Sequence, residues 1–351
     1  MFLSASDRVV SDRASSGLTN RPKLLSGSNP HLSNRISETL GVPLIPRKIT
    51  RFKNGEICVS IQESVRNHDV FVIQGKSPTQ NLNDMLMELL IIIDACRRSA
   101  ARSIYVVLPC YPYARQDKKE ESREPITAKL VANLLAAAGM SRLLVMDLHA
   151  AQIQGFFDLP VDNMYSVKLV EEYLTKKPFS ECGLFFNQSQ SERNEKYVLV
   201  SPDAGATKRT LKFGKIFSLP TIIMHKQRDY SQPNTIQKIS IIGDTSLYSN
   251  KTAIILDDMI DTAGTLVAAV DALVRQGFSD VVCIATHGIL SAPALERINK
   301  CTSLTGVLVS DSIDQTDHLA QCSKLHVFSI APLLSQAIYS IFTNASLSFL
   351  F

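Results

Sequence analysis

Short β-branched runs alternate with helix-period stretches from about Pro22 onward. DVFVIQGK (69–76) leads into NLNDMLMELLIIIDACRR, SIYVVLPC (103–110) into TAKLVANLLAAAG, and RLLVMDLHA (142–150) into SVKLVEEYL. The alternation restarts with YVLVSPDAG (197–205), IFSLPTIIMH (216–225), TAIILDDM (252–259), VVCIATHGIL (281–290), TGVLVSDS (305–312) and LHVFSIA (325–331). Apolar runs separated by helical patterns predict βαβ units and a parallel sheet. The expected fold class is therefore α/β, in two similar halves, residues 22–163 and 164–344, each a mostly parallel sheet flanked by helices. The least patterned stretch, residues 176–196, is polar and turn-rich and reads as a surface insertion.

Composition narrows the function classes. At 351 residues the chain exceeds one typical core, which agrees with two domains. A net charge of +4, spread along the sequence without dense basic blocks, points away from nucleic acid and toward a small anionic ligand. No apolar run reaches the roughly 20 residues that span a bilayer, since LLIII near Leu89 is broken by Asp94, Arg97 and Arg98. The seven cysteines are scattered without CxxC spacing, which suits reduced thiols and a cytoplasmic setting. Residues 1–21 lack an apolar core, and Asp7 and Asp12 oppose an organelle presequence, so a disordered extension is expected there.

In open parallel sheets ligands bind beyond the carboxyl ends of strands. Residues just after the apolar runs are rich in Asp, His, Arg and Lys: YARQD, DLHA, SPDAG, HKQRD, DDMIDTAGT and THG. Three aspartates, Asp257, Asp258 and Asp261, fall within five residues, where an apolar run meets a small-residue turn. That turn, from Asp261 through Thr262, Ala263, Gly264 and Thr265, precedes an apolar helix, so its backbone N–H groups and hydroxyls can converge on one phosphate. It lacks the lysine and spacing of a Walker loop. Asp257 and Asp258, one turn upstream, would repel phosphate yet accept hydrogen bonds from vicinal hydroxyls. A sugar phosphate meets both demands. The bland alternative is a strand end with solvated carboxylates and a helix cap.

LDDMIDTAGT resembles the phosphoribosyl diphosphate motif of the type I phosphoribosyltransferase superfamily, and the chain as a whole resembles the ribose-phosphate diphosphokinase family, also called phosphoribosyl diphosphate synthetases. The likeness runs from KLLSGS near Lys23 to the terminal SLSFLF, through RFKNGE (51–56), PCYPYARQDKKEESREPITAKLVANLL, MDLHAAQIQGFFDLPVDN and SPDAG. It implies two phosphoribosyltransferase-like domains. It implies transfer of the diphosphoryl group of ATP to the anomeric hydroxyl of ribose 5-phosphate with release of AMP, a diphosphotransferase reaction of nucleotide biosynthesis.

The resemblance also assigns roles. Arg115, Gln116 and Asp117 would contact ATP, a guanidinium gripping phosphate oxygens in pairs, while the rest of DKKEESRE reads as a solvated charged loop. His149 would bind ATP and its Mg²⁺, and Asp203 a second Mg²⁺ near the ribose; Asp147, Asp158 and Asp162 are weaker metal candidates. Lys226 and Arg228, in a polar loop after TIIM, would be the catalytic cations, neutralising charge on the transferred group. Phe52, Asn54 and Glu56 would hold the adenine of a neighbouring subunit, which requires self-association, as in a hexamer built from dimers. Asp203, Asp257, Asp258 and residues 261–265 would bind ribose 5-phosphate. By likeness to the phosphate-activated class I enzymes, Ser64, Arg66, Ser122, Ser346 and Phe351 would help form a site for activating inorganic phosphate and for ADP, with the tail 345–351 packing back on the N-terminal domain.

One departure stands out. Where the family reads SPDAGG, this chain has SPDAGAT, and Ala206 would strain the loop if that position needs a positive φ. Two other functions compete: a phosphoribosyltransferase, which shares DDMIDTAGT but needs neither YARQDKK nor a second α/β half, and a non-catalytic synthetase-associated subunit, which would be expected to have lost active-site residues.

Overall fold

The computed structural model describes residues 21–176, 184, 186, 188–228, 236–242, 248 and 250–350, without the side chains of 226–228, 236–240 and 242. The extension and Phe351 lie outside that description. The chain divides at Tyr165/Ser166: unit 1 comprises Met1–Tyr165, Ser312–Asp314 and Ser329–Phe351, and unit 2 comprises Ser166–Asp311 and Gln315–Phe328.

Unit 1 runs β1 (Lys23–Ser26), α1 (His31–Leu40), β2 (Arg47–Arg51), β3 (Ile57–Ile61), β4 (Asp69–Ile73), α2 (Leu82–Arg98), β5 (Ser103–Val107), α3 (Thr127–Ala138), β6 (Arg142–Met146) and β7 (Val161–Met164). Its main sheet has the order β1-β4-β5-β6-β7, with every pair parallel. Strands covered on both faces read as continuous apolar runs, and Val70–Ile73 and Leu143–Met146 are fully buried. Helix α2 begins at Asn81, whose side chain accepts the Asn83 N–H at 2.8 Å, and buries Met85, Leu89, Ile92 and Cys96 at helical spacing. Strands β2 and β3 form a separate antiparallel hairpin.

Unit 2 runs α4 (Val167–Lys176), α5 (Gln190–Lys196), β8 (Tyr197–Ser201), α6 (Thr207–Phe217), β9 (Thr221–Arg228), β10 (Ile236–Ile242), β11 (Thr252–Ile260), α7 (Gly264–Arg275), β12 (Asp280–Gly288), α8 (Ala294–Lys300), β13 (Leu304–Ser310), α9 (Thr316–Leu319) and β14 (Leu325–Phe328). Its sheet has the order β10-β9-β8-β11-β12-β13-β14, parallel except for β10 at one edge. The chain leaves β8 toward β9 and later places β11 on the other side of β8. The strand order therefore reverses between β8 and β11, a switch point where the loops after both strands diverge and open a crevice.

Four expectations change. The final helix α10 (Ala331–Phe342) belongs to unit 1, where it packs on α1 with Leu334, Ala337 and Ile338 buried, so the return of the chain begins at 329 and not at 345. Ile216 and Phe217 close α6, and the strand starts at Thr221. The segment around Lys226 and Arg228 is strand, not loop: β9 continues through Arg228, paired antiparallel with β10. The supposed surface insertion contains the exposed helix α5, started by a capping box of Ser189 and Glu192, and buries Leu184 and Phe186, the latter against Phe217 at 5.2 Å. Among the described residues no helix is long and apolar enough to cross a membrane.

Candidate active site

In unit 2 the switch point brings together two loops that the sequence separates by some fifty residues. The first is Ser201–Thr207. Asp203 Oδ1 accepts the Ala206 N–H at 2.9 Å, and the Asp203 carbonyl accepts from the Ser201 hydroxyl at 2.8 Å and the Thr207 hydroxyl at 3.3 Å. These bonds close a tight turn ahead of α6. Ala206 sits at φ −77° and ψ −9°, in the right-handed region that any residue adopts, so alanine in place of the family glycine is unstrained.

The second loop follows β11. Asp257 and Asp258 lie in the C-terminal half of β11, before Met259 and Ile260, and the Asp257 Oδ1 accepts the Asp258 N–H at 2.8 Å. Burial first, and then the adjacent Asp258 charge, push the Asp257 carboxyl well above the usual carboxylate range. Asp258 faces Arg209 of α6 at 3.6 Å, with side chains 7% and 16% exposed. By exposure Asp257 is half-buried and Asp258 buried, and the Arg209 guanidinium beside Asp258 also partly offsets the rise at Asp257. Behind them Cys283 of β12 is buried, and burial followed by the Asp257 charge raises its thiol.

The turn then passes Asp261 and exposed Thr262 to Ala263 at φ +57°, a left-handed residue that is not glycine. Helix α7 starts at Gly264 with no acidic residue in its first turn, so its dipole is uncompensated by side-chain charge there. A Cβ on Gly264 would stand 3.3 Å from Arg297 Nη1, which donates to the Thr262 carbonyl at 2.9 Å.

In unit 1 the expected ATP residues fall in two places. Arg115, Gln116 and Asp117 lie in the loop after β5. The Gln116 N–H donates to the Tyr113 carbonyl at 2.9 Å, and the Gln116 carbonyl accepts from Ala128 at 3.1 Å, which docks the loop on the start of α3. Asp117 accepts from Gln152 Nε2 at 3.1 Å, so this loop meets the turn that follows exposed His149. Glu124 takes amide bonds from Glu120 at 2.9 Å and Glu121 at 3.0 Å, which hold its carboxyl below the usual range in a solvated loop. Phe52, Asn54 and Glu56 form the exposed tip of the β2–β3 hairpin. Gly55 at φ +93° makes the turn, the Phe52 N–H donates to the Glu56 carbonyl at 2.9 Å, and Phe52 is 58% exposed.

In unit 1 the weaker metal candidates Asp147, Asp158 and Asp162 occupy three different settings. Asp147 is buried at φ +40°, Asp158 is exposed after the short helix of Ala151–Phe156, and Asp162 lies in β7 at 3.3 Å from Arg142. Burial raises the Asp162 carboxyl and Arg142 partly offsets this. Among the described residues no three His, Cys, Asp or Glu side chains group around a metal-sized site. Of the residues expected at a regulatory site, Ser64, Arg66, Ser122 and Ser346 are all exposed, with the Ser64 hydroxyl accepting the Arg66 N–H at 3.4 Å; Phe351 lies outside the described residues.

Two family models match the chain: the N-terminal domain of ribose phosphate pyrophosphokinase over residues 23–139, and the phosphoribosyl synthetase-associated domain over residues 219–351. A ribose-phosphate pyrophosphokinase of Streptococcus mutans is 42% identical over 324 residues, covering 92% of this chain and 94% of that protein. The chain belongs to the ribose-phosphate pyrophosphokinase family. Ribose-phosphate pyrophosphokinase A of Dictyostelium discoideum is 42% identical over 335 residues, 94% of this chain and 98% of that one. The crystal structure of the phosphoribosylpyrophosphate synthetase from Mycobacterium smegmatis superposes with a TM-score of 0.80 at 39% identity, covering 93% of this chain and all of that one.

Within this family frame, two arginines of unit 2 were not found by sequence reading. Arg209 of α6 reaches Asp258 near the end of β11, and Arg297 of α8 reaches Thr262 in the turn that follows, 49 and 35 residues away in sequence. Neither follows an apolar strand run, the signal by which the other cations were chosen.

Proposed function

We propose that the chain transfers the diphosphoryl group of ATP to the 1-hydroxyl of ribose 5-phosphate, giving 5-phosphoribosyl 1-diphosphate and AMP. The observation that carries this reading is the switch point of unit 2, where two adjacent carboxylates stand near the end of β11 and the Asp261–Thr265 turn opens α7 in a chain of this family. Backbone N–H groups of the turn and the Thr262 and Thr265 hydroxyls take the 5-phosphate. Asp257 and Asp258 accept the vicinal hydroxyls. Arg115, Gln116 and Asp117 take ATP, and Lys226 and Arg228 of β9 neutralise the charge that develops on the transferred group.

Mg²⁺ fits the donor chemistry. It favours oxygen ligands, takes few from the protein and completes its octahedron with waters and substrate phosphates. His149 would contact one such ion together with ATP, Asp203 would contact a second near the ribose, and each would screen phosphate charge when bound. The exposed hairpin tip suits an adenine site shared between subunits, so the working form would be an oligomer. Ser64, Arg66, Ser122 and the Ser346–Phe351 tail would serve phosphate and ADP regulation, and the enzyme would act in the cytoplasm.

Purified homomer with ATP, ribose 5-phosphate and Mg²⁺ should form AMP at steady state. Lys226→Ala and Arg228→Ala should each lower kcat by about a hundredfold or more while nucleotide binding persists. No AMP from the homomer would sink the synthetase reading. A non-catalytic subunit would give no turnover in the same assay.

A further inference from the structure

The Asp261–Thr265 turn contains a residue that ought not to hold its shape unaided. Ala263 lies at φ +57° and ψ 8°, a left-handed conformation disfavoured for any residue with a Cβ. Such residues persist where their surroundings over-determine them. Two constraints are visible: the Ala263 side chain is buried and its carbonyl accepts the Val267 N–H at 3.0 Å, and on the preceding peptide stands Arg297. Helix α8 is anchored by buried Ala294 and Ile298, so the Arg297 backbone is fixed while its side chain runs outward over the turn. Its Nη1 donates to the Thr262 carbonyl at 2.9 Å and lies 3.3 Å from the position of a Cβ on Gly264.

The direction of that bond matters. In a trans peptide the C=O and N–H point to opposite sides of the chain. A donor that holds the Thr262 carbonyl therefore fixes the Ala263 N–H on the opposite side, and polarises the same amide as it does so. Gly264 is the residue type that lets the guanidinium approach so closely. We infer that Arg297 is a positioning residue for the sugar-phosphate turn, acting through the Thr262 carbonyl to aim the Ala263 amide at the 5-phosphate. The inference rests on the proposed binding of ribose 5-phosphate at this turn.

Arg297→Met keeps most of the apolar stem and removes the donor; Arg297→Lys keeps a cationic donor of similar reach. The expected result for Arg297→Met is a roughly tenfold higher KM for ribose 5-phosphate, with KM for ATP and kcat within about twofold of the parent. Arg297→Lys should recover most of that loss. Because Arg297 is exposed, the thermal midpoint should be unchanged in both variants. An unaltered KM in Arg297→Met overturns the inference. So does a rise in both KM values accompanied by a lower melting temperature, or a lysine variant no better than the methionine one. Calorimetric titration of ribose 5-phosphate into the parent and the Met variant keeps the two readings apart. If the parent binds the sugar phosphate but makes no AMP, the synthetase reading fails, and the ratio of the two affinities still decides the role of Arg297; if the parent binds none, both fall.

Discussion

At the scale of single residues, the decisive feature is a pair of adjacent carboxylates beside one guanidinium. Burial and the Asp258 charge raise Asp257, and Arg209, 3.6 Å from Asp258, partly offsets this. A carboxyl whose folded pKa is raised binds its proton more tightly in the native than in the unfolded chain. Its stabilising effect is full below the ordinary carboxylate range and is lost as pH rises through that range toward the folded value. Asp257→Asn removes this titration. The variant should therefore melt higher than the parent at neutral pH without ligand, by a margin that shrinks as pH falls toward about 4. Thermal melts from acid to neutral pH check this, and a margin that grows on acidification would refute it. Asp257, Asp258 and the small-residue turn were legible in the sequence because they sit together after one apolar run. Arg209 and Arg297 were not, since proximity across the switch point is created by strand order. Whether Ala206 strains its loop turns on a backbone angle that a sequence does not carry; at φ −77° it adds none.

At the scale of elements, apolar runs located most strands because parallel strands covered on both faces cannot tolerate polar interruptions. Strands β4, β5, β6, β8 and β14 fall within the runs read from the sequence, and β11, β12 and β13 overrun theirs by one residue at one end. Strand β10 and the hairpin β2–β3 escaped, because edge and half-exposed strands mix polar and apolar residues and resemble loops. For the same reason HKQR looked like a loop although its backbone extends β9. The hairpin yields a clean test. Its tip is exposed and Phe52 packs on no core, so Phe52→Ala should leave the melting temperature within about a degree of the parent. If the ring stacks on adenine, KM for ATP should rise about tenfold, while KM for ribose 5-phosphate stays put. Equal effects on both substrates would assign Phe52 to folding or assembly.

At the scale of the whole molecule, a hairpin projecting an aromatic side chain into solvent and the proposed catalytic cations of β9 raise the question of whose site each subunit would complete. If the tip serves a neighbour, two different inactive chains can restore one another. Take a tip variant, Phe52→Ala/Asn54→Ala/Glu56→Ala, and Lys226→Ala. In a mixed dimer with reciprocal sharing, one site collects both defects and the other collects neither. Random mixing makes about half the dimers mixed, so about a quarter of all sites should be intact. Unfolding and refolding the two chains together should thus recover about a quarter of parental activity at limiting ATP, well above either variant alone. A chain that uses its own hairpin would leave every site defective at any mixing ratio, and activity would stay at the mean of the two variants. The comparison needs neither the size of the oligomer nor the identity of its regulator, because complementation depends only on a site built from two copies.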